Sequence, residues 1–93
     1  MVSVHPSDVV RSLAGRDRGK LFFVFETDGE YTALTDGKTR KRETPKRKKM
    51  KHIELIAKGD AAFDERLRTA SNSEIRKALA AYRRLRDYEK GRE

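Results

Sequence analysis

The sequence predicts a small, mostly β domain with α, in which about five short strands curl into a barrel and a helical C-terminal segment follows. Three observations predict it. Short apolar runs with strand-like alternation recur between residues 9 and 56. Glycine-containing turn signals at 15–20, 28–29 and 36–37 separate them. After Lys58-Gly59 the apolar spacing changes to that of a helix.

Val9, Val10 and Leu13 mark the first strand, and the turn from Gly15 to Lys20 holds two glycines able to take positive φ. Leu21 to Glu26 is a strand apolar on both faces: Leu21, Phe23 and Phe25 on one, Phe22 and Val24 on the other, so both sides need cover. Asp28-Gly29 and Asp36-Gly37 read as two-residue hairpins bracketing Tyr31 to Thr35, which makes strands two to four an antiparallel meander. Thr39 to Glu43 is expected as a mostly basic fourth strand ended by Thr44-Pro45, because proline donates nothing to a ladder. His52 to Ile56 is the fifth strand. Closing five such strands into a barrel removes exposed edges; an open meander is the alternative.

Asp60 is placed to cap a short helix through about Arg68, with Phe63 and Leu67 on one face. Ser71-Asn72-Ser73-Glu74 has the spacing of a capping box and opens a second helix. Ile75, Leu79, Tyr82 and Leu85, with Ala78 between, form its apolar stripe, Arg76, Lys77, Arg83 and Arg84 lie off it, and Gly91 is a stop. Packed on the barrel, that stripe would cover one apolar face of the second strand. The expected organisation is a barrel over residues 1–57 and a helical appendage over 58–93, packed on it.

Composition narrows function. In 93 residues, 41% charged and 35% hydrophobic, there is room for one thin core and not for a large enzyme. The absence of cysteine removes disulfides, thiolate metal sites and thiol nucleophiles, and fits a reducing, cytoplasmic setting. The longest apolar run, Leu21 to Phe25, is far short of a membrane span. His52-x-Glu54 is only a fragment of a metal site, and no phosphate loop, nucleophile elbow or paired-carboxylate motif is present, so no enzyme, cofactor or small-molecule substrate is expected.

The charge is more informative. Residues 38–52 hold nine Lys or Arg against one Glu, a surplus of eight that equals the net charge of the whole chain; elsewhere acids and bases cancel. So focused a surplus points to a polyanion as partner, by counterion release from its phosphates. Lys38, Lys46, Arg47, Lys48, Lys49 and Lys51 are the candidate phosphate contacts in this run, and His52 can donate to a phosphate or fix the barrel's end. Tyr31, beside a turn, can stack an unpaired base if exposed, whereas Phe22 and Phe23 are expected in the core.

The stretch from Asp8 to Ile56 resembles a KOW domain, an SH3-like barrel, on the strength of Asp8-Val9-Val10-Arg11-Ser12-Leu13-Ala14-Gly15-Arg16-Asp17-Arg18-Gly19-Lys20 followed by Leu21 to Phe25. Ala14-Gly15-Arg16-Asp17, Asp36-Gly37 before a basic strand, and Lys51-His52-Ile53-Glu54 are similar to the fourteen-e family of large-subunit ribosomal proteins. Phe22 stands where many KOW motifs have glycine, which resembles the ribosomal branch more than the transcription-elongation branch. The resemblance implies binding of structured, ribosomal RNA through Arg16, Arg18 and Lys20 in the first turn and Arg40, Lys41 and Arg42 on the fourth strand, with ribosomal proteins as further partners. The alternatives are a protein-interaction module that docks through the barrel or the second helix, and general DNA binding.

Overall fold

A computed structural model of the protein describes residues 3–91, with side chains described through residue 83. Five strands, β1 (Val9–Ser12), β2 (Leu21–Asp28), β3 (Tyr31–Thr35), β4 (Lys46–Lys49) and β5 (Ile53–Ala57), form one antiparallel sheet in the order β4-β3-β2-β1-β5. Helices α1 (Ala61–Thr69) and α2 (Asn72–Gly91) follow.

β2 organises the core because both of its faces are apolar. Phe22 and Val24 face Val4, Val10, Leu34 and Ile53, while Leu21 and Phe23 cluster with Val9 of β1 and with Leu67, Ala70, Ile75 and Leu79 from the helical segment. Phe22 and Phe23 are both fully buried. Full burial of each such side chain stabilises the fold by roughly 1.5–3 kcal/mol. On the helix side Phe23 meets Phe63 at 5.0 Å and Tyr82, edge-on, at 6.1 Å between ring centroids. The stripe of α2 is thus spent on its own domain at Ile75 and Leu79; the side chains of Arg84 and Leu85 lie outside the described residues.

The sheet is curled. A flat five-strand sheet would hold its edges about 19 Å apart. Here β4 and β5 are those edges, yet one 3-10 turn, Met50–His52, connects them and reaches only roughly 8 Å. Two bulges help. Phe25 is the extra residue between Val24↔Leu34 and Glu26↔Ala33, and Ile56 the extra residue between Val9↔Ala57 and Val10↔Leu55. Each bends its strand and turns an apolar side chain toward the helices.

The helix starts agree with the local signals. The Asp60 carboxylate accepts from the Phe63 N–H at 2.7 Å, and Ser71 and Glu74 exchange reciprocal bonds at 3.2 Å. The fourth strand does not agree. It lies at 46–49, and Thr39–Glu43 belongs to a loop spanning residues 36–45. Asp36-Gly37 opens that loop, not a two-residue hairpin, because the Asp36 carboxylate takes the N–H groups of Lys38 and Arg40 at 2.9 and 2.8 Å and the Thr39 hydroxyl at 2.7 Å. Donors held locally cannot join a ladder, so β4 starts only after Pro45. Leu13 lies beyond β1 and is exposed, and His52 sits in the 3-10 turn, ahead of β5. The chain around His5 is tied down: its N–H donates to Asp8 and its neighbour Val4 is buried.

Candidate nucleic-acid interface

Strand alternation divides the cations of β4. Lys46 and Lys48 pair with Leu34 and Thr32, both buried, and so share the concave face; Arg47 and Lys49 pair with Ala33 and Tyr31 on the convex face. On the concave side, a cleft of about 470 Å³ forms where the first turn, the 36–45 loop, β4 and the 3-10 turn meet. Arg16, Lys20, Arg40, Lys46 and His52 line it together with Asp17 and Lys48.

Lys48 departs from its expected role as a phosphate contact. It is 9% exposed, and its ammonium donates to Asp17 Oδ1 at 2.6 Å, Ser12 Oγ at 2.6 Å and the Ala14 carbonyl at 2.8 Å, which uses all three N–H groups. Asp17, within the turn from Gly15 to Lys20, is the counter-ion that holds the turn to β4. With that pair neutral, Arg16, Lys20, Arg40 and Lys46 are opposed by no other acid among the cleft's residues. Four cations around one hollow, none in an ion pair among the described residues, are suited to phosphate oxygens.

Arg42 also departs. Its guanidinium donates to the Ala70 and Arg68 carbonyls at the end of α1 and lies 5.8 Å from the Phe25 ring centroid, so it joins the loop to the helices. On the convex face the Arg47 guanidinium covers Tyr31 at 3.9 Å from the ring centroid, with the Lys49 ammonium at 5.7 Å. That ring face is closed to a base, although the exposed guanidinium plane can itself carry one. Arg18, Lys38, Lys41 and Lys51 are exposed but not among the cleft's lining residues. His52 and Glu54 do not converge as a metal site, since Glu54 pairs with Arg11. Among the described residues no group of three or more His, Asp or Glu is placed to hold a metal ion, and no helix is long and apolar enough to cross a membrane.

The two aspartates that shape the cleft walls titrate low. Burial alone raises the Asp17 carboxyl, but the Lys48 and Ser12 hydrogen bonds and the Lys48 charge outweigh it. Asp36 is likewise raised by burial and lowered further by Thr39 and the N–H groups of Arg40 and Lys38. A carboxyl lowered by folding stabilises the fold fully above its unfolded value, here 3.8, and that contribution is lost as pH falls through the folded value. Thermal unfolding followed from pH 6 to pH 2, a range of about four units spanning the ordinary carboxylate values, is therefore expected to show a midpoint that drops below 3.8. Asp17→Asn should flatten the drop; an unchanged slope in that variant would exclude Asp17 as its source.

No protein-family model matches this chain, and no curated protein matches it.

Proposed function

We propose that this is a non-catalytic RNA-binding protein of the cytoplasm, working on or beside the ribosome and recognising structured RNA through phosphate contacts. The observation that carries the reading is the cleft, where Arg16 and Lys20, Arg40, and Lys46 come from three separate elements to one place. A scattered basic surface would not need that convergence. The strand order, with a 3-10 turn joining the two edge strands, supports an SH3-like barrel, and the KOW-like residues from Asp8 to Lys20 form the turn that supplies one wall. Phosphate contacts position a protein without reading bases, so recognition follows the shape of a folded RNA. Docking of a protein through α2 has less support, because Ile75 and Leu79 are fully covered by the sheet.

The test is a salt titration of binding to protein-free ribosomal RNA, with duplex DNA as competitor. The expected log–log slope corresponds to roughly six phosphate contacts, or ~10³-fold weaker binding at 200 mM than at 50 mM salt. A slope near zero removes RNA as the principal partner. Equal competition by duplex DNA turns the reading to general nucleic-acid binding.

A further inference from the structure

We infer that the corner between α1 and α2 is a working part of the interface: Asn72 holds the 36–45 loop in its binding shape, so that Arg40 meets a phosphate already in place. The inference rests on the reading that the cleft binds RNA. The loop's own hydrogen bonds organise mainly its first half, where Asp36 gathers residues 38–40 and the Arg40 carbonyl accepts from the Asp36 and Gly37 N–H groups. The second half is held from the helices. Asn72 Oδ1 accepts from the Arg42 N–H at 2.9 Å, and Asn72 Nδ2 donates to Glu43 at 2.8 Å. In the first half α2 adds one more tie, as Arg76 donates to the Gly37 carbonyl at 2.7 Å.

The fit at Gly37 is close. A Cβ there would lie 2.3 Å from the Asn72 carbonyl oxygen, and the residue takes φ +73°, so only glycine lets the loop approach α2 this closely. Ser71 and Glu74 already cap α2, which leaves the Asn72 amide free of that duty and committed to the loop. A basic loop free to move would have to be ordered when RNA binds, and that entropy would be subtracted from affinity. Anchored to the corner, it is ordered beforehand. Asn72 is therefore a positioning residue: by fixing Arg42 and Glu43 it holds the far end of the segment that carries Arg40.

Asn72→Ala tests this in a double-mutant cycle, with affinity measured on protein-free ribosomal RNA and amide hydrogen exchange on the full chain. Alone, the substitution is expected to weaken binding about tenfold with only a small drop in the melting midpoint; in an Arg40→Ala background the loss should shrink below about twofold, and in a Lys46→Ala background it should persist. Exchange at the Arg42 amide should quicken at least about tenfold as its acceptor is lost. Wild-type affinity in Asn72→Ala, or the same loss in every background, overturns the inference while leaving RNA binding intact. A wild-type protein that binds no RNA overturns both.

Discussion

Replacing Lys48 by alanine is expected to destabilise the protein by about 3–5 kcal/mol, because it leaves the Asp17 carboxylate buried without its counter-ion. Asp17 is 9% exposed and its Oδ2 lacks a hydrogen-bond partner, so with Lys48 gone the Ser12 hydroxyl is the side-chain donor left to it among the described residues. For a domain of this size the melting midpoint should fall by at least about 12 °C. The double variant Asp17→Leu, Lys48→Met removes both charges together and should recover most of the loss, as apolar replacements of buried ion pairs do. Urea unfolding of the three proteins decides the matter. A Lys48→Ala protein within about 0.5 kcal/mol of wild type, the usual effect of a surface substitution, would show that the ammonium is a solvated surface group after all.

The second large effect concerns affinity. Converting Arg16, Lys20, Arg40 and Lys46 together to glutamine should lower the salt slope by about three, at 0.7–0.9 per phosphate contact. Extrapolated from 1 M salt, where the electrostatic contribution has largely vanished, that is ~10³-fold weaker RNA binding at 100 mM. The melting midpoint should stay close to wild type, since none of the four is fully buried. Converting Lys38, Lys41 and Lys51 instead should cost much less, because they lie outside the cleft. Equal losses for the two sets would mean that the molecule binds as a diffuse cation, and the cleft would lose its special standing.

Much of the scaffold is legible locally. The two apolar faces of β2 follow from period-two spacing over Leu21 to Phe25, and both helix starts follow from residues three apart. The misplaced fourth strand shows where such reading stops. Asp36-Gly37 has the letters of a hairpin, but the Asp36 side chain takes the backbone donors that a hairpin would use, and the loop so formed packs against α2 at Gly37. Asn72 was visible only as part of a capping box; its amide contacts partners 29 and 30 positions away.

The concentration of all surplus charge in residues 38–52 is a property of composition along the chain and needs no coordinates. Which of those cations can meet a ligand is a different matter. Lys46, Lys48 and Lys49 are chemically identical, yet strand alternation turns Lys49 outward and Lys46 inward, and long-range pairing with Asp17, 31 residues distant, buries Lys48. Charge is carried by the residue type, whereas availability depends on solvation, and solvation is set by neighbours that only folding brings into contact.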